Sequence, residues 1–288
     1  MKWPGKVWLL KMSRLDIELV DRGLFASRNK AQMEIKNGNI KCDDEVITKS
    51  SFLVNGNTKI EVSTSILKYV SRGGLKLEKA LSEFNINLSN KIMVDIGSST
   101  GGFSDCALKN GVSKIYAIDV GSNQLVSEIR NNPKVNVYEN TDFRTIDDEI
   151  LNDTNLATID VSFISVTKLL EKLSGLNLNE IICLIKPQFE CGSEVSRKYK
   201  GVILNKKVHN DVLVSVINNF EKYNLYLNGL TYSPVCGRDG NIEYLAYFKN
   251  TKSLKGYNIE KVINESFKTL RKIEKKVKSA WFFFCFAI

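Results

Sequence analysis

One short stretch, Val94-Asp95-Ile96-Gly97-Ser98-Ser99-Thr100-Gly101-Gly102-Phe103, constrains the fold of this chain more than any other. An apolar run ends there in a glycine-rich turn, and a helical pattern follows it. Glycine adopts left-handed backbone conformations without strain and lets a ligand come close to the main chain. The stretch therefore predicts a buried strand, a turn that can cradle a nucleotide-like molecule, and a helix. A tight strand-to-helix turn without a ligand is the plainer alternative.

A second acidic strand end favours the ligand-binding interpretation. The next apolar run covers residues 115–118 and is followed by Asp119. A carboxylate at such a strand end can accept hydrogen bonds from both hydroxyls of a ribose. The glycines of the turn do not follow the dinucleotide order G-x-G-x-x-G, and the turn lacks the Lys-Ser or Lys-Thr ending of a phosphate-binding loop. The pattern thus favours a nucleoside ligand without a pyrophosphate.

From residue 92 onward, apolar runs alternate with helix-like stretches, which is typical of a parallel sheet covered by helices on both faces. Five runs span residues 92–95, 115–120, 135–138, 156–161 and 181–185, and two more strands are predicted at 226–232 and 242–248. The connection 233–241 contains Pro234, Gly237 and Gly240, and it is short enough for a hairpin. We therefore expect an α/β fold with seven strands, of which the last runs antiparallel to the others.

The predicted strands end in polar residues. Asp95, Asp119, Asp142, Asp160 and Lys186 lie at or just beyond the ends of the first five strands. In an open parallel sheet, ligands bind beyond the carboxyl ends of the strands. Any one of these residues alone is more simply explained by solvent or a salt bridge. Five polar ends at one rim instead indicate a catalytic or binding site.

The first seventy residues follow a different pattern. Helices are predicted over residues 14–22 and from residue 27, and four short β-like pieces follow at 40–42, 45–47, 52–54 and 59–62. The sequence Arg14-Leu-Asp, followed by Ser27-Arg28, Ala31 and Gly38-Asn-Ile, resembles the S4 RNA-binding domain. That resemblance implies a small α+β module in which Arg14, Arg28 and Lys30 contact phosphates. Such contacts set the register and the affinity of RNA binding more than its sequence specificity.

The charge of the chain is unevenly distributed. The net charge is +9, to which residues 1–70 contribute +4, residues 71–248 contribute −2 and residues 249–288 contribute +7. A nearly neutral middle between basic flanks indicates that the flanks bind a polyanion while the middle carries the chemistry. Solubility alone is the open alternative.

Composition argues against several classes of protein. The six cysteines form no C-x-x-C pairs, so we expect reduced thiols of a cytoplasmic protein and no metal site. The N-terminus has only a four-residue apolar run, and no signal peptide is expected. Residues 281–288 are wholly apolar but far fewer than the roughly twenty that a spanning helix needs. We therefore expect no transmembrane segment and no membrane contact.

Four further motifs complete a family pattern. They are Ser71-Arg-Gly-Gly-Leu-Lys76, Asp160-Val-Ser-Phe-Ile-Ser165, Lys186-Pro-Gln-Phe-Glu190 and Gly240-Asn-Ile-Glu243. With the glycine-rich turn and the S4-like start, they closely resemble the TlyA family over about residues 12–249. Its members are S4-containing ribosomal RNA 2′-O-methyltransferases with an FtsJ-like, Rossmann-like catalytic domain, historically also called haemolysins.

The resemblance implies a cofactor, a substrate and residue roles. The implied cofactor is S-adenosylmethionine, and the implied partner is 16S or 23S ribosomal RNA, free or in ribosomal subunits, methylated at cytidine. The implied cofactor-binding residues are Asp95, Gly97, Ser99, Gly101, Asp119 and Asp142, with Asp119 on the ribose and Asp142 near the adenine. The implied catalytic tetrad is Lys76, Asp160, Lys186 and Glu243, and the implied RNA-binding residues are Arg14, Arg28, Lys30 and Arg72.

The chemistry of 2′-O-methylation suits that tetrad. A ribose hydroxyl is a poor nucleophile at neutral pH and needs a base. We expect Lys186 to be the base, because a second ammonium at Lys76 and partial burial would both favour its neutral amine. Asp160 and Glu243 would position the two lysines. His209, the only histidine, is expected to be structural.

These patterns divide the chain into five segments. They are an extension at 1–11, an S4-like domain at 12–68, a linker at 69–75, an FtsJ-like methyltransferase domain at 76–250, and a basic helix with an apolar tail at 251–288. Two other functions stay open: a haemolysin or cytolysin that acts on membranes, and a non-catalytic RNA-binding factor in ribosome assembly. Candidates at all four tetrad positions argue against the second, and the lack of a predicted spanning segment argues against the first.

Overall fold

A computed structural model describes residues 12–25, 27–36, 38–62, 68–254 and 256–270. The predictions for residues 1–11 and for the apolar tail at 281–288 lie outside these residues. The chain divides into two compact units, Met1–Lys68 and Tyr69–Ile288. Each unit has its own hydrophobic core and is described by itself.

The elements are numbered in chain order. The strands are β1 (Ser13–Arg14), β2 (Ile40–Cys42), β3 (Glu45–Ile47), β4 (Leu53–Val54), β5 (Ile60–Val62), β6 (Ile92–Ile96), β7 (Lys114–Ile118), β8 (Val135–Tyr138), β9 (Leu156–Ile159), β10 (Glu180–Ile185), β11 (Tyr226–Tyr232) and β12 (Tyr244–Lys249). The helices are α1 (Leu15–Asp21), α2 (Arg28–Lys36), α3 (Gly73–Glu83), α4 (Gly102–Lys109), α5 (Ser127–Arg130), α6 (Leu170–Gly175), α7 (Pro187–Glu190), α8 (Ser193–Lys198), α9 (Lys206–Glu221) and α10 (259–270). Short 3₁₀ helices occur at Asp148–Leu151, Val166–Leu169 and Arg238–Gly240.

The first unit packs two helices against small sheets. Strand β2 lies between β3 and β5, and β1 pairs with β4. Apolar side chains from α1, α2 and the strands, including Leu15, Leu19 and Ile35, form one buried cluster. The sequence pattern had placed Arg14 at the start of the first helix, and that prediction is wrong: Arg14 belongs to β1, where it pairs with Leu53.

The second unit is built on the predicted seven-stranded sheet, with strand order β11-β12-β10-β9-β6-β7-β8. Strand β12 runs antiparallel to both of its neighbours, as expected from the hairpin before it. The pairs β6·β7, β7·β8, β6·β9 and β9·β10 are parallel. The predicted mostly parallel sheet is therefore confirmed.

The strand order positions the candidate site. From β6 the chain moves to β7 and β8 on one side, and β9 then returns to the other side of β6. Such a reversal leaves a crevice beyond the carboxyl ends of β6 and β9, where ligands of open α/β sheets bind. Ile96 at the end of β6 is opposite Ile159 at the end of β9, so the residues that follow these two strands are neighbours.

Residues 69–75, which were expected to form a linker, belong to the second unit. Tyr69 is buried in a core cluster of the second unit, and α3 already begins at Gly73. A Cβ on Gly74 would lie 2.3 Å from the Tyr69 ring, so only glycine fits there. The sequence analysis did not detect this local packing.

The C-terminal part of the described chain packs on the core of the second unit. Ile263 and Leu270 of α10 are buried in the large core cluster that also contains strands β10 and β12. His209 in α9 is fully buried, where its ring nitrogens bond the Tyr244 hydroxyl at 2.7 Å and the Ile203 carbonyl at 3.0 Å. Over the described residues, no helix is long and apolar enough to cross a membrane.

Candidate active site

Four chain segments bring the predicted tetrad together. Lys76 lies on α3, Asp160 follows β9, Lys186 follows β10, and Glu243 precedes β12. The Nζ atom of Lys76 lies 2.7 Å from Glu243 and 3.9 Å from Asp160. The Nζ atom of Lys186 lies 2.6 Å from the other oxygen of Asp160. The four side chains thus form one continuous chain of ion pairs with Asp160 between the lysines.

The tetrad is largely shielded from water, and its charges balance. Burial alone would lower the pKa of Lys76, but the carboxylates of Asp160 and Glu243 outweigh it and raise that pKa. Burial likewise opposes the charge of Asp160, whereas Lys76 and Lys186 lower its pKa below the usual value. The sequence analysis expected Asp160 and Glu243 to position the two lysines, and in the structure the Asp160 carboxylate lies between them.

Two residues that sequence reasoning missed follow Asp160. The Ser162 hydroxyl accepts a hydrogen bond from Lys186 at 2.9 Å. Phe163 is 87% exposed and has a left-handed backbone with φ of 66°. A bulky residue rarely adopts that conformation, which costs about 1–3 kcal/mol and tends to persist at functional sites. Its ring lies 5.1 Å from that of Phe189, three residues beyond Lys186.

Glu190 holds the segment around Phe163 in place. Its carboxylate accepts hydrogen bonds from the Ser165 hydroxyl at 2.6 Å and the Val166 N–H at 2.9 Å. Burial raises the pKa of Glu190, although these two hydrogen bonds favour its charged form. The motif that contains Lys186 therefore also anchors the loop that follows Asp160.

Gly237 makes room for Glu243. A Cβ on Gly237 would lie 2.1 Å from a carboxylate oxygen of Glu243, closer than any such contact allows. The hairpin before β12 thus packs its backbone directly against the tetrad. The sequence had suggested Gly237 only as a turn residue.

The glycine-rich turn adjoins the tetrad. Gly97, Ser99 and Gly101 all have left-handed backbones, with φ of 82°, 47° and 92°. A Cβ on Gly97 would lie 2.7 Å from the Asp160 carbonyl oxygen, so glycine allows the turn after β6 to touch the segment after β9. A molecule held on this turn would therefore lie beside the catalytic candidates.

Asp119 ties the turn to the neighbouring strand. Its carboxylate accepts the Ser99 N–H at 2.8 Å and the Gly121 N–H at 2.7 Å. A carboxylate offers about four acceptor positions, so two remain for other donors. The next side chain, Val120, is 72% exposed. An acceptor for ribose hydroxyls, an apolar surface for a base and an open backbone turn together fit S-adenosylmethionine.

Two predicted cofactor residues, Asp95 and Asp142, are bonded by other side chains of the protein. Asp95 is fully buried, and its oxygens accept hydrogen bonds from Ser104 at 2.6 Å and Thr158 at 2.9 Å. Because the carboxyl is fully buried, it orders the strand end and offers no surface to a ligand. Burial also raises the pKa of Asp95 to about 6. Asp142 lies beyond β8, where its partly exposed carboxylate accepts several hydrogen bonds from Arg144, and its contact with the adenine stays a prediction.

A further carboxylate orders the rim near Asp119. Glu139 accepts hydrogen bonds from the N–H groups of Asn123, Gln124 and Leu125, and it pairs with Arg130 at 2.6 Å. The bond from Arg130 lowers the pKa of Glu139 to about 2. The loop after Asp119 is therefore fixed by a residue that strand-end reasoning passed over in favour of Asp142.

The predicted RNA contacts divide between the two units. In the first unit, Arg14 and Arg28 both pair with the buried Asp16, at 2.9 and 3.0 Å. The side chain of Lys30 lies outside the described part of α2. Arg72 belongs to the second unit, close enough to Lys76 for its charge to oppose that ammonium. Asp16, which the sequence analysis did not single out, is the residue that organises the arginines.

The described residues contain no cluster of His, Cys, Asp and Glu side chains that could hold a metal ion. Cys42, Cys183 and Cys191 in this part of the chain carry free thiols. The acidic residues of the rim are instead paired with lysine, arginine, hydroxyl or backbone N–H groups.

Comparison with known proteins agrees with this arrangement. The FtsJ-like methyltransferase family matches residues 69–250, and the S4 domain matches residues 13–60. The Bacillus subtilis protein YqxC, provisionally named an rRNA methyltransferase, is 43% identical over 92% of this chain and 97% of its own. The 23S rRNA (cytidine-2′-O)-methyltransferase TlyA of Campylobacter jejuni is 39% identical over 76% of this chain and 85% of its own.

A solved structure from Streptococcus thermophilus, provisionally named a hemolysin, has a TM-score of 0.73 and 34% identity over 92% of this chain and 99% of that one. The fold and the strand-end site define an FtsJ-like, S-adenosylmethionine-dependent methyltransferase that also carries an S4 domain. The S4 domain precedes the catalytic domain, as the sequence motifs predicted. The chain belongs to the TlyA family.

Proposed function

We propose that this methyltransferase modifies the 2′-oxygen of a cytidine ribose in 23S or 16S ribosomal RNA, in the cytoplasm. The observation that carries the proposal is the tetrad, in which Asp160 joins Lys76 and Lys186 beside the glycine-rich turn. The printed activity of the Campylobacter jejuni relative supports the nucleoside and the RNA.

Residues of the turn and of the neighbouring strand would hold the cofactor. Gly97, Ser99 and Gly101 provide the open backbone, Asp119 the acceptor for the ribose, and Val120 an apolar surface for the adenine. When bound, S-adenosylmethionine supplies a methyl group on a positively charged sulfur, and the ribose oxygen bonds that carbon as the carbon–sulfur bond breaks. We assign Asp95 to the support of the turn, and we keep Asp142, which is partly exposed beside Arg144, as a contact near the adenine.

Lys186 would accept the proton of the 2′-hydroxyl. It can do so only as a neutral amine, so transfer should become faster as the pH rises. Asp160 and Ser162 fix the direction of its Nζ atom. Lys76 and Glu243 hold the other side of Asp160, and much of the rate should come from this fixed orientation of base and hydroxyl.

The RNA would be held by phosphate contacts and by stacking. Arg14 and Arg28 present partly exposed guanidinium groups, and Arg72 lies near the tetrad. The exposed Phe163 ring offers a flat surface to a base beside the reacting ribose. Base stacking on such an aromatic side chain is worth about 1–3 kcal/mol.

Mapping of methylated ribose tests the proposal. Ribosomal RNA from cells that lack the chain should gain one or a few 2′-O-methylcytidines when purified protein and labelled cofactor are added. The Lys186→Met variant should lose this transfer, and Lys222→Met, at the exposed C-terminal end of α9, should retain it. Methylation of a base nitrogen or carbon, or none by the parent, would contradict the proposal.

A further inference from the structure

The strongest unexplained feature is a run of positive charge in an otherwise neutral domain. Residues 71–248 carry 19 basic and 21 acidic side chains, yet residues 197–207 contain five basic ones and no acidic one. These are Arg197, Lys198, Lys200, Lys206 and Lys207, and all five are exposed. We call them the basic turn, because they lie at the end of α8, in the following loop and at the start of α9.

The basic turn keeps its charge unneutralised. Within the part of the chain that the structure describes, none of its five cations pairs with a carboxylate, and Lys198 and Lys206 instead lie over the rings of Tyr199 and Phe267. Arg197 donates to the Ser193 carbonyl, and Lys206 donates to the Asn264 side chain. Elsewhere in the same unit, Lys109 and Arg144 pair with carboxylates and Lys222 bonds an asparagine oxygen. The basic turn differs from these single cations because it holds five within eleven residues. Unpaired positive charge on a fixed surface favours a polyanionic partner.

Buried polar groups fix this surface next to the tetrad. The Asn241 side chain accepts the Ile203 N–H at 3.0 Å and donates to the Gly201 carbonyl at 2.8 Å. Asn241 is only 3% exposed and precedes Glu243 by two residues. His209 holds the Ile203 carbonyl from the other side and bonds Tyr244, the residue after Glu243. The loop of the basic turn is thus attached to both sides of a catalytic residue.

From this geometry we infer that the basic turn binds the phosphate backbone of the RNA that flanks the target nucleotide. The inference rests on the proposed function and adds to Arg72 and Phe163 a further RNA-binding surface on the catalytic unit. Its role is to hold the strand in register over the tetrad, because its loop and Glu243 share the same anchors. Asn241 and His209 are positioning residues, and neither needs to touch RNA.

Salt-dependent binding tests the inference. The variant Lys198→Gln/Lys200→Gln/Lys207→Gln keeps the aliphatic stems and removes three charges. The matched control Lys134→Gln/Lys222→Gln/Lys252→Gln removes three exposed charges near the opposite, amino-terminal edge of the sheet. For naked 23S ribosomal RNA, the first variant should reduce the slope of log affinity against log salt by about two, since each contact with a single strand contributes about 0.7. The control should leave the slope unchanged.

Activity measurements separate this inference from the proposed function. The RNA concentration for half-maximal methylation should rise about tenfold in the basic-turn variant at moderate salt, while the rate at saturating RNA and the affinity for S-adenosylmethionine stay near parental values. Equal salt slopes for variant and control would overturn the inference even if the parent methylates ribosomal RNA. Loss of binding to phosphatidylglycerol vesicles, with RNA binding unchanged, would also overturn it and assign the surface to membranes. If the parent methylates no RNA, the proposed function itself fails.

Discussion

Each of the two units contains an aspartate whose carboxylate pairs with two cationic side chains. In the S4 unit, Asp16 accepts hydrogen bonds from Arg14 and Arg28, and in the catalytic unit Asp160 lies between Lys76 and Lys186. The arginine side chains are 40% and 52% exposed, whereas the lysine side chains are 11% and 8% exposed. The two aspartates thus join pairs of cations in different surroundings, Asp16 near the surface and Asp160 in a shielded site.

The difference in exposure separates binding from chemistry. The exposed arginines keep donors free for phosphates while the Arg14 hydrogen bond lowers the pKa of Asp16 and fixes their direction. The shielded lysines have little access to water, so a small change in the surrounding charge shifts the balance between ammonium and amine. We expect substitutions in the first group to change RNA affinity and substitutions in the second to change the rate of transfer.

The largest effect should come from Lys186→Arg. Arginine keeps the positive charge and the pairing with Asp160, but it does not deprotonate in proteins and cannot accept the hydroxyl proton. Single-turnover transfer should fall by about 10²–10⁴-fold, the usual contribution of a general base, while RNA and cofactor still bind. Near-parental turnover would falsify the base assignment and leave orientation as the main catalytic effect.

A smaller effect is expected from Lys76→Ala. Its removal leaves the carboxylates of Asp160 and Glu243 with one ammonium instead of two. The excess negative charge favours the ammonium of Lys186, so the rising limb of the pH–rate profile should move to higher pH, with a loss of roughly tenfold near neutral pH. Lys76→Arg restores the charge and should return the limb toward its parental position. A profile that does not move in Lys76→Ala would show that Lys76 acts on the fold alone.

Asp16→Asn should have a still smaller effect, and it should change only the affinity for RNA. The substitution adds a positive charge to the S4 unit, which by itself would strengthen binding to a polyanion. We expect weaker binding instead, by several-fold, because Arg14, Arg28 and Gln32 lose their common acceptor. The matched control Asp44→Asn adds the same charge at an exposed position and should bind RNA at least as tightly as the parent. Tighter binding by both variants would show that charge alone matters in this unit.

Features that depend on neighbouring residues could be predicted from the sequence, whereas contacts between residues far apart in the chain could not. Local periodicity located all seven strands of the large sheet, and the glycines at 97 and 101 indicated the turn that the structure has. Pairing of Lys76 with Glu243 joins residues 167 positions apart, and no local pattern encodes it. The family resemblance, carried by four motifs, identified the tetrad instead.

Other features depend on tertiary packing that no motif describes. Phe163 has a left-handed backbone against its own preference, and the hydrogen bonds of Glu190 with Ser165 and Val166 hold the segment that follows it. The tight approach of Gly237 to Glu243 likewise becomes visible only once the hairpin is folded. Asp95 and Asp119 both lie at strand ends, and that position did not show that Asp95 is fully buried whereas Asp119 bonds the backbone of the turn.

Asp95 is also a buried aspartate, but hydroxyl groups bond its carboxyl where cations bond Asp16 and Asp160. Hydroxyl donors alone do not offset its burial, so its pKa rises to about 6, whereas the cation-paired Asp160 has a lowered pKa. In the unfolded chain the pKa returns to about 3.9. The folded state therefore binds its proton more tightly, and the free energy of unfolding falls as the pH rises from about 4 to about 6.

Asp95→Asn tests whether Asp95 makes the free energy of unfolding fall as the pH rises. Asparagine keeps an acceptor for Thr158, can donate to the Ser104 oxygen, and does not titrate. The variant should unfold with a free energy up to about 3 kcal/mol higher than the parent at pH 7.5, equivalent to roughly two pKa units. That advantage should shrink as the pH falls through 6, as urea unfolding at several pH values can measure. Transfer rate and affinity for S-adenosylmethionine should stay parental, since the carboxyl is fully buried; a weakened affinity would restore Asp95 to the cofactor site.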